Sequence, residues 1–191
     1  PGSPDGSAGG SSGAATAEGT FQTDAVGGEL NGIALNSDGV WVTQADAAEV
    51  VHVDPASGEV VATTPTDTPA TAVATTADDR VWVIGEDGTE VGVIDDSAGE
   101  VTDVIDIGNT TDAIAASSQH VWVTATADGG GNVLADINAG TTSLANLLGS
   151  SQSGPSQVAA TDDDVWMTNS GSSTVSHYDA RTQVGLTAIA V

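Results

Sequence analysis

Three histidines, His52, His120 and His177, are the only side chains of this 191-residue chain whose ordinary pKa lies near neutrality, and there is no cysteine. His52 and His177 occupy the same point of two similar segments, EVVHVD (49–54) and TVSHYD (174–179). The third such segment, NVLADIN (132–138), carries Asp136 there, and the fourth, EVGVID (90–95), carries Val93. Two histidines and an aspartate are donors suited to zinc. A second set offers oxygen only. Asn31, Thr71, Asp112 and Ser156 each stand two residues before an Ile or Val, with Asp67 and the loop GSSQSGPS (149–156) nearby. Asp46, Glu86, Asp87, Asp128 and Asn169 fall in polar loops that follow a tryptophan. Such groups suit a hard cation such as Ca²⁺, or hydrogen bonding to a sugar or peptide. No loop shows the dense alternating-Asp pattern of a dedicated calcium site, so no cofactor is expected from sequence. Nucleophilic catalysis lacks a cysteine, a G-x-S-x-G elbow or a histidine beside a serine, and phosphate-binding loops are absent.

What positions these residues is a repeat. The four tryptophans recur at intervals of 41, 40 and 44 residues, as Trp41, Trp82, Trp122 and Trp166, each inside Val-Trp-Val or Val-Trp-Met. Before each lies a short run of small and apolar residues: NGIAL (31–35), TAVAT (71–75), DAIAA (112–116) and SQVAA (156–160). After each come the four segments named above and then VVATT (60–64), VTDVIDI (101–107), LANLL (144–148) and LTAIAV (186–191). Runs of four to seven residues rich in Val, Ile, Ala and Thr, divided by Asp, Gly, Ser and Pro, are strand signals. Four antiparallel strands in about 40 residues is the period of a β-propeller blade. The chain is therefore expected to be all-β, four blades of strands a to d, at about 20–64, 65–107, 108–148 and 149–191.

This register sorts the chemistry. Strand a lies nearest the axis, so Asn31, Thr71, Asp112 and Ser156 form a polar ring at the mouth of the channel. Strand c lies farther out, where blades diverge, so the His52, Asp136, His177 column is too spread to share one ion; His120 falls in a turn. The plainer reading is that the histidines are satisfied locally and the oxygen residues are solvated loops. Asp54, Asp95, Asn138 and Asp179 open the c–d turns, where their side chains accept backbone N–H bonds, with Gly58 and Gly99 supplying positive φ. The alternation Val-Trp-Val places the ring on one sheet face and its neighbours on the other, which makes the tryptophans a packing layer between blades.

One segment, TFQTDAV (20–26), reads as a d-type strand without a blade of its own. Four blades plus one strand leave three possibilities: a closed four-blade ring with a redundant strand, a larger ring cut short, or a ring completed by a second chain. Residues 1–19, PGSPDGSAGGSSGAATAEG, have no large apolar residue and read as a flexible linker, with Pro1-Gly2-Ser3 as a possible tag scar.

The net charge of -25 comes from 27 Asp and Glu against Arg80 and Arg181, with no lysine. Nucleic acid and anionic membrane surfaces are repelled by such a field, and a salty medium screens its self-repulsion. No apolar run approaches the roughly 20 residues of a membrane helix.

The last repeat, VWMTNSGSSTVSHYDARTQ (165–183), and the first, GIALNSDGVWVTQADAAEVVHVDPASGEVV (32–61), are similar to blades of YVTN/NHL-type bacterial propellers, which include the virginiamycin B lyase-like group. That resemblance implies an extracytoplasmic module and admits enzymes, sensor ectodomains of receptor kinases and surface binding proteins. The lyase-like relatives use a histidine and acidic residues with a metal at the channel mouth. Here the histidines are expected elsewhere, which argues against carrying that activity over. The expectation is a non-enzymatic sensor or binding domain for a small molecule, glycan or peptide, with an assembly module that completes its ring as a homo-oligomer, or a metal-dependent lyase-like enzyme, as alternatives.

Overall fold

A computed structural model describes residues 27–95 and 99–191. The expected linker at 1–19 and the unpaired strand at 20–26 lie outside the described residues. The remainder forms four separate four-stranded antiparallel sheets, each in chain order. Blade one holds β1 (Leu30–Leu35), β2 (Val40–Gln44), β3 (Glu49–Val53) and β4 (Val60–Pro65). Blade two holds β5 (Ala70–Thr75), β6 (Val81–Gly85), β7 (Glu90–Asp95) and β8 (Glu100–Asp106). Blade three holds β9 (Thr110–Ala116), β10 (His120–Thr126), β11 (Asn132–Asn138) and β12 (Ser143–Ser150). Blade four holds β13 (Pro155–Ala160), β14 (Asp164–Asn169), β15 (Thr174–Asp179) and β16 (Val184–Ala190).

The first strands stack side by side, β1 on β5, β5 on β9 and β9 on β13. Among the described residues no comparable packing joins β13 back to β1, so the four blades form an arc. Its core consists of the layers between blades. Trp41 packs against Val73, Val81, Val83 and Ile94 of blade two. Trp82 meets Val121, Val123 and Ile137 of blade three, and Trp122 meets Val165, Met167 and Tyr178 of blade four. Every tryptophan with a following blade is thus sealed, at 0–1% exposure. Burying an aromatic ring of this size contributes on the order of 4–6 kcal/mol of hydrophobic stabilisation. The expectation of four equivalent layers is corrected at the fourth: among the described residues no further blade packs on Trp166, which is 38% exposed.

The turns hold as their residue types dictate. Asp54 accepts the backbone N–H of Ala56 at 2.7 Å, Asp179 that of Thr182 at 2.8 Å, and Asn138 that of Thr141 at 3.0 Å. Those bonds draw the Asp54 and Asp179 carboxyls below the ordinary aspartate value. Four residues after each opener the backbone is left-handed: Gly58 (φ 76°), Gly99 (φ 65°), Thr142 (φ 51°) and Gln183 (φ 58°). A Cβ at Gly99 would meet nothing within 4 Å, so only backbone strain opposes one there. Gly99→Ala is expected to lower unfolding free energy by about 1–2 kcal/mol, read from urea midpoints.

The a–b turns fasten neighbouring blades. Ser37 donates its N–H to Asp79 Oδ1 at 3.1 Å, and Arg80 donates to the Ala139 carbonyl. Ser118 donates its hydroxyl and its N–H to Asp162 Oδ1 at 2.7 and 2.8 Å, which lowers the Asp162 pKa. A carboxyl that holds its proton less tightly when folded stabilises the fold above the ordinary aspartate pKa and loses that contribution as pH falls through the lowered value. The stability difference between the parent chain and Asp162→Asn should therefore shrink on acidification, as measured by urea titrations through the acid range; a constant difference would refute the link.

Candidate functional site at the bulged rim

The polar ring expected from the sequence coincides with a backbone irregularity in every blade. In blade two, Ala70 pairs with Gly85 and Ala72 with Ile84, leaving Thr71 as an extra residue. Asp112 is extra between Thr111 and Ala113 opposite Ala125 and Thr124, and Ser156 is extra between Pro155 and Gln157 opposite Asn169 and Thr168. In blade one, Asn31 and Gly32 together oppose Thr43. A β-bulge breaks the strict alternation of side chains and re-aims the extra residue, which is why such positions gather near functional sites. The four bulges stand at the start of the inner strands, the end at which the d–a and b–c connections meet.

In blades one, three and four a hydroxyl group on the second strand braces the bulge, and in blade two the bulged residue supplies its own. Thr126 Oγ1 donates to Asp112 Oδ2 at 3.0 Å, and Ser156 and Thr168 share a hydroxyl bond of 2.9 Å. Thr43 Oγ1 accepts the Gly32 N–H at 2.7 Å, while Thr71 Oγ1 donates to the Ile84 carbonyl at 3.3 Å. Loss of water around Asp112 pushes its carboxyl above the ordinary value, and the bond from Thr126 pulls in the other direction. Asn31 and Asp112 are exposed, Thr71 and Ser156 half-buried.

The loop residues separate into different settings. Asp67, Glu86 and Asp128 are exposed. Asp67 borders a groove between blades one and two that is also lined by Thr68, Val83, Glu90 and Gly92. Asp46 accepts the Glu29 N–H at 2.8 Å. Asn169 is instead an interior residue, 1% exposed. Its Oδ1 accepts Asn132 Nδ2 at 2.6 Å, and its Nδ2 donates to Ser176 Oγ at 3.0 Å and Thr174 Oγ1 at 3.1 Å. Position alone suggested a rim residue, but the preceding blade closes over it through Asn132. The hydroxyls of Thr43, Thr126 and Thr168 were not singled out from sequence; their recurrence near the end of β2, β10 and β14 was the available signal.

The histidines stand at the opposite end of the strands, by the a–b turns. Trp41 pairs with His52, Trp82 with Val93, Trp122 with Asp136 and Trp166 with His177, so each member of the column faces its own tryptophan. His52 stacks on Trp41 at 4.1 Å between ring centres, and His177 on Trp166 at 3.9 Å. His177 Nε2 and Asp164 Oδ1 lie 2.6 Å apart, as do His120 Nδ1 and Asp136 Oδ1. Asp136 also receives a bond from the Gln183 amide, and its burial raises its pKa despite the bond to His120. Among the described residues no three His, Asp or Glu side chains converge as a metal-holding group.

Comparison of the whole arc with solved structures settles its architecture. It superposes on hydrazine synthase of Kuenenia stuttgartiensis with a TM-score of 0.76 at 18% identity, covering 91% of this chain and 53% of that one. Virginiamycin B lyase of Staphylococcus aureus matches with a TM-score of 0.70 at 17% identity over 85% of this chain and 55% of that one. The fold is a β-propeller. A streptogramin B lyase aligns comparably, with a TM-score of 0.70 at 15% identity over 85% and 54% of the two chains. No protein-family profile matches the propeller's sequence, and no characterised protein matches it by sequence. The propeller chain spans about half the length of each of these structures.

Proposed function

We propose that this propeller is a binding or sensor domain working outside the cytoplasm, which holds a small molecule, glycan or peptide at the bulged rim without altering it. One observation carries the reading: the same bulge recurs in all four blades, yet it presents Asn31, Thr71, Asp112 and Ser156, four different polar groups on one constant backbone. A repeated scaffold with varied contacts suits recognition of an asymmetric polar ligand. The placement of all three histidines at the opposite end supports binding over acid–base turnover at the rim. The acidic surface suits a salt-rich medium, where screening is strong.

A metal-assisted, lyase-like activity is the second reading, favoured by the presence of lyases among the structural neighbours and drawing on Asp67, Glu86 and Asp112. Screening the chain on glycan and peptide arrays and titrating the retained compounds calorimetrically separates the two. Binding should be weakened at least tenfold in Asp112→Ala/Ser156→Ala, and the compound should be recovered intact by mass spectrometry. Retention unaffected by the rim changes, or recovery of a cleaved product in the presence of Mg²⁺ or Mn²⁺, would overturn the binding reading.

A further inference from the structure

The two ends of the arc differ in a way that makes them complementary. Trp41 with its stacked His52 and Trp166 with its stacked His177 are the same plate at the same register, in blades one and four. Blade two covers the first plate, leaving Trp41 1% and His52 6% exposed; the second stands at 38% for Trp166. What covers the first plate is known: the aliphatic face formed by Val73, Val81, Val83 and Ile94. Blades three and four present the corresponding faces to Trp82 and Trp122. The partner that fits Trp166 is therefore a blade presenting aliphatic pairs from its first two strands at that height.

Blade one carries such a face. Ile33 pairs with Val42 and Leu35 with Val40, which puts these four side chains together on the side of the sheet away from Trp41. Ile33 and Leu35 are each 67% exposed. Apolar strand residues this open mark an interaction surface more often than an idle one. We propose that the aliphatic face of blade one in a second copy of this chain docks on the Trp166–His177 plate, and that two such junctions close two arcs head to tail into one ring. Two arcs of four blades give a ring at the upper end of the usual roughly four to eight. They also match the length of the solved propellers, of which this chain spans about half. Contact between unlike faces distinguishes this junction from the ordinary isologous dimer. It stands apart from whatever the rim binds.

With a net charge of -25 on each copy, repulsion opposes the junction and salt relieves it, as the screening length falls from about 10 Å at 0.1 M to about 3 Å at 1 M. Light scattering on the full chain should give twice the single-chain mass, with dissociation weakened at least tenfold from low to molar salt. Trp166 is the exposed tryptophan, so its emission should shift to the blue over the same range. Trp166→Asp and Ile33→Asp should each return the single-chain mass while circular dichroism keeps the sheet signal. An equimolar mixture of the two should recover part of the doubled mass, because one junction between them is intact. A single-chain mass at every salt concentration overturns the proposal. So does a dimer abolished by Trp166→Asp but untouched by Ile33→Asp, which would mean plate against plate, and so do open-ended polymers, in which the junction fails to close.

Discussion

Trp122→Ala is expected to lower the unfolding free energy by about 3–5 kcal/mol, the range for removing a large aromatic side chain from a packed core. Trp166→Ala should cost less than about 1.5 kcal/mol, since a half-solvated side chain leaves no enclosed cavity. The two residues share register and sheet position; among the described residues they differ in whether another blade packs over them. Trp122 lies between blades three and four with Leu134, Val165, Met167 and Tyr178 around it, at 0% exposure. Urea unfolding of both variants at a dilution where the chain is single measures the difference. Equal losses at the two sites would mean that the layer between blades is not what the tryptophans stabilise. Trp122→Phe should recover more than half of the loss, because packing volume is the quantity at stake.

Asn169→Ala is the second large effect, about 2–3 kcal/mol of destabilisation, because it strands buried partners on two sides at once. Asn132 Nδ2 loses its acceptor, and Ser176 Oγ loses its donor, at positions 1% and 4% exposed. Asn31→Ala, at an exposed position of the rim, should change stability by less than about 0.5 kcal/mol. The pair separates a residue that wedges blades three and four together from one available to a ligand. A near-neutral Asn169→Ala in thermal or urea unfolding would return that residue to the binding surface.

Much of the architecture was readable from residue order because it rests on local chemistry. Val-Trp-Val alternation, apolar runs of strand length and Asx-opened turns each act within one blade, and the observed strands start and end within three residues of the segments read from the repeat. The bulges were not readable as backbone geometry, although their occupants were: Asn31, Thr71, Asp112 and Ser156 stood out by register before the extra residue at each position was known. Asn169 shows where one-dimensional reading stops. The sequence reads it as part of a polar loop, whereas it is the last residue of β14, and its burial depends on Asn132 of another blade, 37 residues away in the chain. Exposure of Trp166 likewise depends on whether another blade packs on its face, and nothing within its own blade signals it.

The one-way stacking of tryptophan face upon aliphatic face has a consequence for how such a protein grows. Each blade carries a socket on one side and a plug on the other, so copying one unit of about 40 residues inserts a piece whose two seams already match their neighbours. Lengthening therefore requires no new complementarity. The number of units is limited by the angle at which successive sheets turn, and the tally of blades is a matter of curvature, set independently of the chemistry that any rim residue performs.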